Sequence, residues 1–369
     1  MDVSGNAAII SIYMKRKRVV VAMSGGVDSA VAAALLKEQG YEVIGITMCF
    51  NLVDAERKKP ACCGIQGIED ARRVCHKLGI RHYVLNMQKA LNEHVIKDFL
   101  AEYASGRTPN PCVRCNQYLK FDYLLKKALS FDAEYLATGH YARIVKSNGR
   151  FQLKKAKDLH KDQSYFLYRL NQNRLKHLLF PLGGYTKIQV RELARKFGLA
   201  VAEKIGSQEI CFLPGVDYRP FIKSYMKGNI KPGRVIDKTG NLLGMHKGFQ
   251  FYTIGQREGL GIALGRPAYV SRIDPENNEL TLGTKEDILK KRLFVKETHF
   301  VLTPPKKKVV LKVRIRYNHK EAVAEVIPRK NKIEVRFRRP QFAVTPGQSA
   351  VFYSRSRVLG GGIIEKALD

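Results

Sequence analysis

The chain has 369 residues, no tryptophan and a formal net charge of +32, with 65 Lys and Arg against 33 Asp and Glu. That length suits two or three domains with separate cores, and no stretch is long and apolar enough to form a membrane-spanning helix. The basic excess is spread along the chain instead of being gathered in one tail; it favours a polyanionic partner through counterion release, although charge of this size also serves solubility.

Taken in order, residues 1–18 read as an extension. The weakly apolar run Ala7 to Met14 precedes the basic cluster Lys15-Arg16-Lys17-Arg18, the reverse of a secretory signal. Residues 1–13 are therefore expected to be dispensable. Seven cysteines, an odd number, point to a reducing, cytoplasmic setting and to thiols with chemical roles. A strand is predicted at 19–23, a helix at 27–39 closed by Gly40, and a strand at 41–47. A helix at 65–78, a strand at 82–85 and a helix at 92–103 follow, then a Pro-rich loop at 105–115, a helix at 117–129 and a strand at 134–138. Alternation of this length predicts a parallel α/β sheet, whose ligands bind at the carboxyl ends of the strands. The loops at Ser24, Met48 and Gly139 all lie at such ends. The first domain is thus read as 19–205.

Residues 206–284 are rich in Gly and Pro and read as a compact linking domain. In 285–369 the pattern changes to period two: Leu311, Val313, Ile315 and Tyr317 alternate with Lys312, Arg314 and Arg316. This predicts a small antiparallel β-barrel with a basic outer face, suited to RNA or simply to solvent.

The segment Ser24-Gly25-Gly26-Val27-Asp28-Ser29 joins the first strand to the first helix. Two glycines let the backbone approach an anion, and the helix N-terminus turns free N–H groups and the positive dipole end towards it. Ser24 and Ser29 add hydroxyl donors; Asp28 is suited to holding a metal ion or orienting a nucleotide. The segment contains no lysine and is neither a G-x-x-x-x-G-K-[ST] nor a G-x-G-x-x-G loop. Further on, Cys112-Val113-Arg114-Cys115 forms a C-x-x-C, and Cys211 stands apart from it. Such thiols serve redox chemistry or a metal; zinc would need a fourth ligand, which Cys62-Cys63 or a histidine would supply. Cys49 and Cys75 fall in apolar patterns and are expected to be packed.

The Ser24–Ser29 loop resembles the SGGxDS loop of ATP pyrophosphatases, which split ATP to AMP and pyrophosphate. The chain as a whole resembles the tRNA-specific 2-thiouridylases, which place sulfur at C2 of the wobble uridine. The resemblance is carried by SGGVDS at 24–29, TPNPCVRCN at 108–116, ATGHYAR at 137–143, KDQSYFL at 161–167, ICF at 210–212, GQREGLGI at 255–262, TPGQSAVFY at 345–353 and LGGGII at 359–364. It implies that Ala22, Met23, Ser24, Gly25, Gly26, Val27, Asp28, Ser29, Met48 and Gly139 bind ATP with Mg²⁺. It implies that Asn110, Pro111 and Cys112 meet the target base, and that His140, Lys161, Asp162, Gln163, Arg316, Tyr317 and Gln348 contact the tRNA near its anticodon stem-loop. Cys115 takes the catalytic place and Cys211 that of a persulfide carrier; the sulfur source is a sulfur-donor protein or sulfide.

The implied chemistry is coherent. Adenylation makes the C2 oxygen of uracil part of a good leaving group, AMP, and sulfur then displaces it. Arg114, beside Cys115 in sequence, is placed either to lower the thiol pKa or to meet solvent or phosphate. Tyr141, Tyr165 and Tyr317 are candidates for stacking on an extruded base, or for the core. Position 112 is cysteine, where the family often has aspartate. Two sulfur routes then compete: a Cys211 persulfide resolved by Cys115, or a [4Fe–4S] cluster on Cys112, Cys115 and Cys211, towards which the extra cysteine tilts the reading. A different thiolase, an amide-forming synthetase, or a non-catalytic RNA-binding protein with a degenerate nucleotide fold are the rival readings.

Overall fold

The computed structural model describes residues 16–50, 64–204, 210–213, 217–262 and 265–369. The expectations about residues 1–13 and about Cys62 and Cys63 lie outside them.

The apolar run of β1 (Arg18–Ala22) is buried on both faces, as the central strand of a parallel sheet requires. It pairs in parallel with β2 (Glu42–Cys49), which pairs with β3 (Arg81–Asn86), and on its other side with β4 (Tyr135–Ala137). Helix α1 (Val27–Glu38) is almost wholly apolar and is buried from Ala30 to Leu36; α2 (Gly64–Lys77) packs beside it through Ala71, Val74 and Cys75. The hairpin β5 (Ala142–Ser147) and β6 (Arg150–Lys155) follows, and β7 (Leu178–Leu179) completes a five-stranded sheet of order β3-β2-β1-β4-β7. The chain winds out from β1 to β3 and then returns to the other side of β1. The strand order thus reverses between β1 and β4, and a crevice opens at their carboxyl ends. The loops after these two strands are Ser24–Ser29 and Gly139-His140.

The helical stretch after β3 runs through Gln88–Leu91, a π-turn at Asn92–Ile96, and Lys97–Ala104. A second π-helical stretch, Cys115–Leu124, lies between the short helices Pro111–Arg114 and Leu125–Leu129. The sequence predicts an ordinary helix at 117–129; the wider turn begins at the second cysteine of the C-x-x-C.

The linking region holds β8 (Gly233–Ile236), β9 (Leu242–His246), β10 (Tyr269–Asp274) and β11 (Glu279–Gly283), in the order β10-β11-β8-β9. Its core is shared with the first domain: Phe249 and Phe251 pack in one cluster with Phe99, Cys115, Leu119 and Phe212. The C-terminal strands are β12 (Leu289–Phe300), β13 (Val309–Arg314), β14 (Ala322–Pro328), β15 (Ile333–Phe342), β16 (Ser349–Ser354) and β17 (Arg357–Leu368). All their pairings are antiparallel, and β12 pairs with both β15 and β17, which closes the barrel. The predicted alternation holds, with Val313, Ile315, Val335 and Phe337 facing the core. The hairpin β5–β6, although preceded and followed by parallel strands, adds to this second sheet at β17.

Candidate active site

The Ser24–Ser29 loop is held from several sides. Gly25 has φ +72°, and a Cβ there would stand 2.2 Å from the carbonyl oxygen of Gly67 in α2, so neither the dihedral nor the space admits a side chain. The Ser24 amide donates to Ser29 Oγ at 3.1 Å, and Ser29 Oγ donates to the Gly26 carbonyl at 3.1 Å. Gly26, the residue before α1, offers no side-chain cap, which leaves the first amides of the helix for a ligand. Gly139 lies against this loop: a Cβ on it would stand 2.8 Å from Asp28 C and Ser29 N.

Asp28 is the charged centre of the loop. Its Oδ1 accepts from Tyr141 Oη at 2.7 Å and from Lys187 Nζ at 2.6 Å. Lys204 Nζ donates to the Gly25 carbonyl at 3.1 Å and to Asp70 Oδ2 at 2.6 Å. Tyr141 is itself fixed by Gln163, whose Oε1 accepts from the Tyr141 amide at 3.0 Å. Sequence reasoning missed Lys187, Lys204 and Asp70. They lie far from the loop in the chain, and no local pattern marks them.

The three cysteines converge. Phe212 is buried and meets Phe99 and Phe221, each at 5.5 Å between ring centroids, which anchors the neighbouring Cys211 over the C-x-x-C. Cys115 and Cys211 are hydrogen-bond partners; that bond lowers the Cys115 thiol below its ordinary range, against the effect of burial and with help from Lys120. The same bond drives the Cys211 thiol upward, although Cys211 itself is exposed at the surface over Cys115. Burial raises Cys112 to about 11. Lys120 is half-buried, and its charge reaches all three thiols and His140. It stands five residues after Cys115, off the face in an α-helix but aligned by the i to i+5 turn of a π-helix.

Arg114 does neither of the things its sequence position suggests. It is buried and paired with Asp98 at 2.9 Å and Glu297 at 3.1 Å, joining the helical stretch to β12. Cys75 is packed and raised to about 12 by burial, as expected of an apolar thiol.

The loop at 108–111 is fastened by the barrel. Asn110 Oδ1 accepts from the Val113 amide at 3.3 Å and Pro111 opens the short helix, as suits a cap followed by a first-turn proline. Gln348 Nε2 donates to the carbonyls of Thr108 at 3.2 Å and Pro109 at 2.8 Å, and the Thr108 amide donates to Pro346 O at 2.9 Å.

The other residues expected near tRNA are dispersed in role. Asp162 is buried, with Oδ1 accepting from Ala156 N and Ser164 N and Oδ2 from Ser164 Oγ and Arg314 Nη1. His140 is buried against Phe121 and Phe180; burial first, then Lys120, hold it well below the usual imidazole range and so neutral, with Nδ1 2.6 Å from Thr138 Oγ1. Lys161 is half-buried, and Arg316 Nη2 donates to Phe342 O at 2.6 Å. Tyr141 and Tyr165 are buried, whereas half-buried Tyr317 packs on Phe166 at 4.6 Å and feels the charge of Cys112. Met48 is half-buried at the end of β2.

The cysteine trio does not fit a cluster site as it stands. Among the described residues no three Cys, His, Asp or Glu side chains are arranged to hold a metal ion. Cys115 and Cys211 are instead hydrogen-bonded to each other, the neighbourhood that thiol–disulfide exchange requires.

Family models match three successive segments: a tRNA methyl transferase HUP domain at 17–215, a tRNA methyl transferase PRC-barrel domain at 219–284 and an aminomethyltransferase beta-barrel domain at 290–364. The chain is 52% identical to tRNA-specific 2-thiouridylase MnmA of Halothermothrix orenii, with 95% of this chain and 99% of the relative covered. The chain belongs to the tRNA-specific 2-thiouridylase family. Other 2-thiouridylases of similar closeness are those of Carboxydothermus hydrogenoformans, 51% identical over 96% of this chain and 99% of the relative, and of Clostridium botulinum, 48% identical over 95% and 99%. Membership of this 2-thiouridylase family makes the chain a tRNA sulfurtransferase with an ATP-using loop. Among the described residues no helix is long and apolar enough to cross a membrane.

Proposed function

We propose that this chain adds sulfur to C2 of the wobble uridine of tRNA, at the expense of ATP split to AMP and pyrophosphate. The observation that carries the reading is the adjacency of the Cys115 and Cys211 thiols in a chain whose β1–β4 crevice carries a phosphate loop. A synthetase forming an amide has no use for such a pair.

In the first step the uridine C2 oxygen attacks the α-phosphorus of ATP, and pyrophosphate leaves. Residues 22–29, Met48 and Gly139 hold the nucleotide. Mg²⁺ travelling with ATP supplies charge neutralisation, and Asp28 is the loop's carboxylate for it. In the second step Cys211 carries a terminal sulfur as a persulfide, received when its thiolate takes the outer sulfur from a persulfide on a sulfur-donor protein and leaves that protein's cysteine as a thiolate. The Cys115 thiolate, favoured by Cys211 and by the charge of Lys120, attacks the inner sulfur of the Cys211 persulfide. The Cys115–Cys211 disulfide forms, and hydrosulfide is released. Hydrosulfide adds at C2, AMP leaves with the oxygen, and loss of a proton gives the thiocarbonyl. A thiol reductant must then return two electrons to the disulfide before the next turnover. The arrangement supports this route over the [4Fe–4S] route.

The division of labour follows the chain: 19–205 activates the base, 206–284 links, and 285–369 meets the anticodon stem-loop. Tyr317 is the aromatic candidate left for the extruded base. Lys161, Gln163 and Arg316 flank it as supports or contacts. The test is a reaction with ATP, unmodified tRNA and sulfide, with nucleoside analysis of the product. One AMP and one pyrophosphate are expected per 2-thiouridine, and both are lost in Asp28→Ala. Thiolation that persists in that variant, or release of ADP and phosphate, refutes the reading.

A further inference from the structure

We propose that Lys187 is the pyrophosphate-binding lysine that the Ser24–Ser29 loop itself lacks, delivered from a different part of the fold. The inference rests on the reading of the loop as an ATP site. Lys187 opens the helix Lys187–Lys196, whose start is fixed by a reciprocal Thr186–Gln189 capping box and by the Lys187 amide donating to Asp158 Oδ2 at 3.0 Å. The root of the side chain is therefore rigid, and its ammonium is aimed across the crevice at the loop.

That ammonium stands 2.6 Å from Asp28 Oδ1, where a cation is needed when two or three phosphates arrive. The pair is not sealed: the Lys187 and Asp28 side chains keep 18% and 33% of their exposure, so a ligand can reach both. Tyr141 Oη also donates to the same Asp28 oxygen, so the carboxylate keeps a hydrogen bond when the lysine leaves it. Lys187 can then turn from Asp28 to the β- and γ-phosphate oxygens, and the carboxylate it leaves opens to the divalent cation that accompanies ATP. Lys204 is differently placed. Its ammonium is tied to both the Gly25 carbonyl and Asp70, and it fixes the shape of the loop. Among the described residues Lys187 has Asp28 as its anionic partner, and a polyphosphate competes directly for it.

The test compares ATP, AMP and inorganic pyrophosphate binding to the full chain, wild type and Lys187→Met, by calorimetry. Loss of a charge-assisted contact predicts ATP and pyrophosphate affinities lower by about 10- to 100-fold, with AMP affinity within twofold and an unchanged melting temperature. Lys187→Arg is expected to recover most of the ATP affinity. In the wild-type protein, acylation of Lys187 by a succinimidyl ester, mapped by mass spectrometry, should be blocked by ATP and pyrophosphate but not by AMP. This second arm does not depend on the variant folding. Equal loss of ATP and AMP affinity, unchanged ATP affinity, or acylation indifferent to pyrophosphate overturns the proposal. A wild-type protein that binds no ATP overturns the loop reading beneath it.

Discussion

Gln348→Ala separates fastening of the target loop from contact with tRNA. The resemblance implies that Gln348 touches tRNA, yet its amide donates to the carbonyls of Thr108 and Pro109. Alanine removes two neutral hydrogen bonds of about 1 kcal/mol each. The Thr108 amide remains bonded to Pro346 O, and Gly347 still packs on Thr108, so the loop loosens without leaving the barrel. If Asn110, Pro111 and Cys112 must hold their place in the transition state, about 2 kcal/mol is lost there, roughly a 30-fold slower reaction. Single-turnover thiolation with saturating tRNA measures the rate, and filter binding measures affinity for tRNA. The expected result is a rate lower by about 10- to 30-fold with a Kd within twofold of wild type. A normal rate with a weakened Kd would show that the glutamine binds tRNA and that fastening the loop is incidental.

Cys211→Ala removes the hydrogen bond that lowers Cys115, while burial goes on raising it. The midpoint for Cys115 alkylation should then move upward, read from the pH dependence of the alkylation rate with peptide mapping; an unmoved midpoint would contradict the pairing. Gly139→Val brings side-chain atoms against Asp28 and Ser29, overpacking worth about 1–3 kcal/mol, seen as a lower melting temperature together with lost ATP binding. Arg114→Met leaves half-buried Asp98 without its cation, while Glu297 keeps Arg169, a loss of about 3 kcal/mol at neutral pH, the low end for a broken buried pair. Burial already raises the Asp98 carboxyl, and without Arg114 it rises further, so the folded variant holds a proton that the unfolded chain releases. That group favours folding at low pH and ceases to as pH rises through its folded value. The variant's deficit should therefore shrink as denaturation is measured at falling pH, and a deficit that grows would refute the ion-pair account.

Much of this could be read from the chain. The run Val19 to Val21 declares a doubly covered strand, the strand–glycine–helix order declares the phosphate loop, and period two in β13 and β15 declares a barrel. What escaped depends on distance. Nothing near Lys187 marks it as a partner of Asp28, because the sheet's reversal at β1 and β4 brings them together only after folding. Lys120 escaped because a helix was read with the usual turn, and only the wider one aligns it with Cys115. Arg114 was misjudged from adjacency: alternate helical neighbours point apart, and the ion pair with Glu297 comes from a strand far along the chain. The residues of β5–β6 fall within the first domain as read from the chain, and only the folded structure shows that the hairpin extends the barrel sheet at β17.

The clasp of Pro346, Gly347 and Gln348 on the loop at 108–111 also bears on how the protein is made. During synthesis the phosphate loop and the C-x-x-C leave the ribosome early, while the residues that fasten the target loop follow more than two hundred positions later. A nascent chain with its first domain folded has the means to grip nucleotide but not yet a finished seat for the base. Seating of the 108–111 loop is thus tied to completion of the polypeptide, because its fasteners are among the last residues made.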